Sequence, residues 1–178
     1  LFKRIATAIA KYWICKRAPS HTYECLECLG GNGYVEESIL PRIYRESPVN
    51  SVWEGSGNVI CLDVLRAMKH EPETVDALFA EISEAKGANP RFDVYVDRLK
   101  AQCGDSATAQ EQARRLVEQM ALALEGSLIL RYAPSVVADA FCASRLDGDW
   151  GRTFGTLSAG ADCRSIIERA SVPELDAR

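Results

Sequence analysis

The sequence predicts an all-α protein, and three observations support that prediction. Apolar residues recur at helical spacing along most of the chain, glycine and proline separate these periodic segments, and no alternating strand pattern is present. With 178 residues, 47% of them hydrophobic and 26% charged, the chain can bury a sizeable core. We expect an antiparallel helical bundle followed by additional packed helices.

The chain opens directly on a helical pattern. Helices are predicted over residues 1–18 and 20–29, and Gly30 and Gly31 are expected to end the second one. The first residue is Leu1, with no initiator Met and no capping residue before the apolar pattern. We therefore interpret the chain as a fragment that starts inside or just before a helix, with a bundle that is incomplete at its N-terminus.

A connector rich in glycine and proline leads from these helices to a third one. That helix is predicted to start after Ser56 and to cover residues 57–69. Within the connector, a short helical piece is expected near Pro41 to Arg45, and Pro48 disfavours further helix.

The second half of the sequence contains further amphipathic patterns. Two of them repeat the spacing i, i+3, i+4, i+7, from Val75 to Ile82 and from Phe92 to Leu99. The longest pattern, typical of a bundle helix, runs from Ala107 to Tyr132 until Pro134 interrupts it. The remaining expected elements are a helix over 135–146, a loop over 146–160 and a short closing helix over 165–170.

Charge divides unevenly along the chain. Through His70 there are nine Lys and Arg against seven Asp and Glu, whereas the remainder has twelve against eighteen. The net charge of −4 excludes a globally basic nucleic-acid footprint. After Lys100 the basic side chains are all arginines, which suit phosphate and planar partners, although a genomic base composition gives the same bias. These arginines are Arg114, Arg115, Arg131, Arg145, Arg152, Arg164, Arg169 and Arg178.

Seven cysteines, an odd number, favour reduced thiols that pack as small apolar residues over a disulfide framework. His21, Cys25 and Cys28 share one helix face and could present three zinc ligands, but a fourth ligand at a usual spacing is missing. We therefore predict no metal site and prefer plain helix packing to a redox CxxC pair. The sequence has no long uncharged apolar run and no signal-peptide pattern, which predicts a cytoplasmic protein with no membrane partner.

The segment VWEGSGN, residues 52–58, places an acid beside a tryptophan and immediately before a glycine-rich turn. In a purely structural interpretation, Ser56 caps the following helix and Glu54 lies near the positive end of that helix. Spacing alone does not separate this interpretation from a functional one.

Three motifs together carry a family resemblance: LECLGGNGY, LPRIYRESPVNSVWEGSGN and LDVLRA. They resemble the carboxy-terminal helical domain of the FAD-dependent acyl-CoA dehydrogenases, over residues 1–70. The remaining residues, 71–178, and notably FCASRLDGDWGRTFGTL, resemble the additional helical tail found in the alkylation-response branch of that family. The resemblance implies a C-terminal bundle domain followed by this tail.

The resemblance also implies a catalytic role for Glu54. In the family, the acid at this place is the general base that removes the α-proton of an acyl-CoA thioester, while the β-hydrogen leaves as hydride to the flavin. Trp53 would exclude water and line the flavin or acyl pocket, and Gly55 would let the backbone approach the ligand. The N–H group of Glu54 would help to polarise the thioester carbonyl.

Cofactor contacts follow from the same resemblance. Ser56 and Asn58 match positions that hydrogen-bond FAD at the start of a helix, where free N–H groups favour phosphate. Gly30 and Gly31 match backbone that touches the FAD of a neighbouring subunit, and a helix C-cap with a turn is the alternative. Glu27 stands where many members have Gln, which weakens its expected cofactor contact, because an ionised acid cannot donate a hydrogen bond.

Arg66 lies twelve residues after Glu54 and on the same predicted helix as Asn58. By resemblance it stands near the substrate mouth, where it would meet CoA or another anion. Alternatively, it simply complements the negative end of the helix dipole.

We therefore expect the C-terminal fragment of a homotetrameric acyl-CoA dehydrogenase, with no indication of its electron acceptor. The fragment alone is expected to be inert, because the resemblance places most of the flavin and acyl pocket in other domains. The alternative is a nucleic-acid-binding alkylation-protection flavoprotein with weak or vestigial dehydrogenase activity. Its duplex DNA would lie in a positive groove that assembly forms from Arg66 and the arginines of the tail, among them Arg145 and Arg152. A third interpretation is a purely structural assembly module.

Overall fold

The protein is all-α within the residues that the computed structural model describes, 1–104 and 109–171, as predicted. A 3-10 segment, Ser47–Ser51, follows the third α-helix, and a π-helical segment, Cys142–Leu146, follows the eighth. The α-helices are α1 (Phe2–Cys28), α2 (Gly31–Tyr34), α3 (Leu40–Glu46), α4 (Gly57–His70), α5 (Glu73–Ser83), α6 (Pro90–Cys103), α7 (Ala113–Tyr132), α8 (Ser135–Phe141) and α9 (Cys163–Ala170).

The prediction of two separate helices over 1–18 and 20–29 is wrong, because α1 continues through Pro19. A proline inside a helix removes one backbone donor. Packing of α1 against α4, α5, α7 and the 3-10 segment compensates for that single lost hydrogen bond. Just after the proline, the Thr22 hydroxyl lies 3.0 and 3.1 Å from the carbonyl oxygens of Ala18 and Pro19, to which it donates.

The connector is more helical than its sequence predicts. α2 adds one turn after Gly30, and the 3-10 segment follows α3 directly although it contains Pro48. Pro48 lies in the first turn of that segment, where a backbone donor would have no helical partner. The hydroxyl of Thr22 approaches that of Ser47 at 3.3 Å, so the segment is attached to the second half of α1.

One continuous hydrophobic core joins the first and second halves of the chain. Ile5 and Ile9 of α1, Val64 of α4, Leu78 of α5 and Val117 of α7 are each fully buried in it. The helices before and after residue 70 therefore pack into the same core. The division of the chain into two domains at residue 70 stays a prediction.

Contacts with α7 and with Phe154 join the last third of the chain to α1. The Trp13 indole N–H donates to Glu125 of α7 at 3.1 Å, and the Arg17 guanidinium lies 5.5 Å from the centre of the Phe154 ring. Arg145 of the π-helical segment stacks on Trp150 in the same way, at 4.4 Å. The predicted start of the long helix near Ala107 and the tail residue Arg178 lie outside the described residues.

The cysteines are free thiols, and several contribute to the core. Burial raises the pKa of both Cys61 and Cys142 to about 11, so these thiols stay protonated at neutral pH. Among the described residues, none of the helices combines the length and apolar character that a membrane crossing requires.

Candidate active site

The segment VWEGSGN forms an exposed left-handed turn immediately before α4. Glu54 has φ of 54°, the only positive value among the described non-glycine residues, and Gly55 follows with φ of 108°. The side chains of Trp53 and Glu54 both lie on the surface, with Trp53 58% exposed. Within this chain, Trp53 therefore does not bury the carboxylate of Glu54, and any exclusion of water needs a ligand or another part of the protein.

Lys11 of α1 forms hydrogen bonds with the backbone of this turn. Its ammonium group donates to the carbonyl oxygen of Trp53 at 3.0 Å and to that of Gly55 at 2.5 Å, so it bridges the carbonyls on either side of Glu54. Lys11 is not among the residues predicted from the sequence, because it lies more than forty residues from the motif and has no recognisable signal of its own.

The start of α4 brings together the residues expected at the cofactor. Ser56 is the N-cap residue, but its side chain makes no capping hydrogen bond, contrary to the structural interpretation of this serine. Asn58 is exposed in the first turn. Gly57 is buried, and a Cβ there would lie 2.6 Å from Cε of Lys16, so α1 passes close beneath the start of α4.

Gly30 and Gly31 lie at the far end of α1 from the Glu54 turn. Lys11 and the end of α1 at Cys28 are separated by about 25 Å along the helix axis, at 1.5 Å per residue. Apart from their chain neighbours and nearby helix backbone, none of the described residues comes within 4 Å of a Cβ built at either glycine, so both positions have room for an outside partner.

Glu27, near these glycines, is exposed and already engaged within the chain. Its carboxylate lies close enough to Tyr23 to raise the pKa of that phenol, first through hydrogen bonding and then through its charge. Glu27 and Tyr23 therefore form a local pair on the surface of α1.

Arg66 lies at the opposite end of α4 from Glu54 and is 69% exposed. Its guanidinium is 3.5 Å from the carboxylate of Asp63, which also accepts from Arg4 at 3.0 Å. Arg66 lines a cavity of about 890 Å³ between α4, α5 and the ends of α6 and α7, together with Lys69 and His70. The sequence-predicted anion residue therefore has an acidic neighbour and stands beside a cavity that does not include Glu54.

The cysteine pair weighed as a metal or redox site lies near the end of α1. Cys25 and Cys28 are both exposed, and Sγ of Cys25 is 3.8 Å from Nε2 of His21. Over the part of the chain that is described, no three His, Cys, Asp or Glu side chains are grouped so as to hold a metal ion.

Comparison with known proteins connects this geometry to one family. The family profile described as acyl-CoA dehydrogenase, C-terminal domain, matches residues 2–69. The chain is 45% identical over 147 residues to the putative acyl-CoA dehydrogenase AidB of Escherichia coli strain K12, covering 83% of this chain and 27% of that protein. It is also 32% identical over 123 residues to acyl-CoA dehydrogenase family member 11 of Caenorhabditis elegans, covering 69% of this chain and 20% of the relative.

A solved structure shares the fold. The crystal structure of Caenorhabditis elegans ACDH-11 in complex with C11-CoA superposes with a TM-score of 0.64 at 23% identity, covering 98% of this chain and 33% of that one. This chain thus spans a third or less of the length of these relatives. Three observations indicate the same family: the motif that holds Glu54, the helical architecture and the sequence match over residues 2–69. The chain belongs to the acyl-CoA dehydrogenase family as a C-terminal helical domain of the AidB type.

Proposed function

We propose that this chain is the acid-bearing C-terminal part of a flavin-dependent acyl-CoA dehydrogenase, with Glu54 as its general base. The observation that supports this most is the left-handed turn that exposes the Glu54 carboxylate just before α4. A carboxylate presented in this way can reach the α-carbon of a thioester that the rest of the protein holds against it.

Each part of the turn has a role in this proposal. The Glu54 carboxylate takes the α-proton of the acyl-CoA, and the N–H group of Glu54 donates to the thioester carbonyl oxygen, which stabilises the charge that develops there. Trp53 packs against the bound ligand, which covers its exposed ring and removes water from the carboxylate. Gly55 has no side chain to obstruct the ligand.

FAD fits the residues at the start of α4. The Ser56 hydroxyl makes no capping hydrogen bond, so it is available to a ligand together with the unpaired N–H groups of the first helical turn. Asn58 adds an exposed amide beside them. When bound, FAD supplies the acceptor for the β-hydride of the substrate.

A homotetramer is part of the same proposal. Gly30 and Gly31 lie too far from the Glu54 turn to share its ligand contacts, which supports their use against the FAD of a neighbouring subunit. Residues 29–59 also expose many large apolar side chains, and the burial of such side chains would favour a contact between subunits. They are Leu29, Tyr34, Val35, Ile39, Ile43, Tyr44, Val49, Val52 and Val59.

The test of the proposal is the substitution Glu54→Gln in the full-length protein. We expect FAD to stay bound while flavin reduction slows by about a hundredfold or more, because a general base contributes on that order. The measurement is anaerobic bleaching of the flavin by a panel of acyl-CoA thioesters. Glu71→Gln, an exposed acid at the other end of α4, is the matched control. Normal bleaching of the Glu54→Gln variant would remove Glu54 from the mechanism.

Duplex DNA binding is the second candidate function, and one feature of the tail favours it. Trp150 and Phe154 are 42% and 37% exposed, and each has an arginine guanidinium against its ring. Exposed aromatic rings with arginine beside them can contact nucleic acid. The arginines expected in the DNA groove give less support to DNA binding. Arg66 is paired with Asp63, and Arg145 is half-buried. Dehydrogenation is therefore the better-supported proposal.

A further inference from the structure

We infer that Lys11 is a positioning residue for Glu54, an inference that rests on the function proposed above. The Lys11 ammonium group fixes the peptide units around Glu54 and so determines where the carboxylate stands relative to the substrate. In this role Lys11 acts through the backbone of the turn, to which its ammonium group donates.

The contact geometry is that of a clamp. A single ammonium group donates to the carbonyl oxygens of Trp53 and Gly55, at 3.0 and 2.5 Å, and these carbonyls flank Glu54 on both sides. Hydrogen bonds from a charged donor are stronger than those between neutral groups. Two such bonds from one nitrogen restrict rotation of both peptide units together.

The turn needs this restriction because its conformation is unfavourable for a free chain. Glu54 has φ of 54°, a region that non-glycine residues rarely adopt, and Gly55 at 108° adds a flexible residue directly after it. Strained backbone of this kind persists only when the surroundings determine it. Without the Lys11 contacts, Glu54 would sample other conformations and its carboxylate would leave the position needed for proton transfer.

Lys11 is itself held in place by the core. The adjacent Tyr12 is 5% exposed and accepts a hydrogen bond from Arg114 of α7 at 3.3 Å, and Ile9 is fully buried. The clamp therefore connects the exposed turn to the rigid centre of the bundle, across more than forty residues of sequence.

A positioning role predicts an effect on turnover rather than on substrate affinity. A displacement of about 1 Å can cost about a hundredfold in rate. Lys11→Met, which removes the donors but keeps the length of the side chain, should lower the limiting rate of flavin reduction by about tenfold to a hundredfold, with a small change in KM. Lys11→Arg, which retains charged donors, should recover most of that rate.

The experiment uses the full-length holoprotein and two independent measurements. Anaerobic flavin reduction by acyl-CoA gives the limiting rate and KM, and amide hydrogen exchange reports the mobility of residues 52–57. Lys3→Met is the control, since it removes a lysine from α1 about two turns before Lys11. Lys11→Leu, which likewise has no donor, is a second variant should Lys11→Met fold poorly.

The expected result is a slower limiting rate, unchanged FAD content and faster exchange over 52–57 in Lys11→Met, with Lys3→Met like the wild type. Wild-type rates and exchange in Lys11→Met or Lys11→Leu would overturn the inference and leave the role of Glu54 intact. Equal loss in Lys11→Met and Lys11→Arg, with loss of FAD, would also overturn it, because it indicates a general structural role. Unchanged activity in Glu54→Gln refutes the proposed base instead, and the exchange data then decide whether the clamp exists.

Discussion

At the scale of single residues, the glycines of the GGNG stretch differ in what surrounds them. Gly33 is buried, and a Cβ there would collide with the carbonyl oxygen of Leu26 in α1. Gly31, two residues earlier, has open space where its Cβ would stand. Gly33 is therefore required for internal packing, whereas Gly31 is available to a partner outside the chain.

This contrast gives a prediction for a pair of substitutions. Gly33→Ala should lower the free energy of unfolding by about 1–3 kcal/mol, because backbone cannot move aside as a flexible side chain can. Gly31→Ala should leave stability unchanged or slightly higher but weaken FAD retention in the full-length protein. Thermal unfolding and flavin content measure the two effects. Equal stability of the two variants would show that the packing of α2 on α1 is looser than described.

At the scale of elements, α5 and α7 are joined by a polar contact beside the core. Arg131 of α7 lies 2.6 Å from the carboxylate of Glu81 in α5, with side chains 24% and 32% exposed. The hydrogen bond to Glu81 raises the pKa of Arg131. Ser127 adds a bond from its hydroxyl to the backbone oxygen of Glu81 at 3.2 Å. Partial burial makes this pair less screened by solvent than an ordinary surface pair.

The partial burial of this ion pair predicts how much it contributes to the free energy of unfolding. Glu81→Gln should lower the free energy of unfolding more than the same change in a fully exposed pair, because it leaves a partly buried guanidinium without its charged partner. The control is Glu168→Gln in α9, whose partner Arg164 is 89% exposed, and it should cost less than about 0.5 kcal/mol. Urea unfolding of both variants tests this. A cost for Glu81→Gln no larger than for Glu168→Gln would contradict it.

At the scale of the whole molecule, the charge distribution separates the two candidate functions. The net charge is −4, and Arg145 stacks on Trp150 with burial lowering its pKa. Arg66, Arg145 and Arg152 differ in their availability to DNA. Arg66 has an acidic neighbour in Asp63, whereas Arg152 is exposed and has no acidic partner among the described residues. An Arg145→Glu substitution would disturb the packing of the tail and would not report phosphate binding alone.

We therefore predict negligible binding of duplex DNA to the full-length protein at physiological salt. The measurement is a salt titration with a labelled duplex. A DNA-binding function requires association near 50 mM salt that weakens steeply, by about 0.9 in the slope of log K against log salt for each neutralised phosphate. Such a slope, flattened by Arg152→Glu, would make DNA binding the leading function.

Local chemistry determined much of this protein from its sequence. The periodic apolar residues of α4 to α7 predict helices that the structure confirms, since one helical face must be buried wherever such a pattern occurs. The motif containing Glu54 was also recognisable, because an acid, an aromatic ring and two glycines occur together within a few residues.

Only the tertiary structure decided the remaining features, because they depend on contacts between residues far apart in the sequence. Packing carries α1 through Pro19, where local preference predicts a break. The contact of Arg4 with Asp63 and the burial of Arg145 likewise follow from the fold. The Lys11 contacts to the Glu54 turn are the clearest case, since no local pattern indicates a hydrogen bond that two helices create by lying side by side.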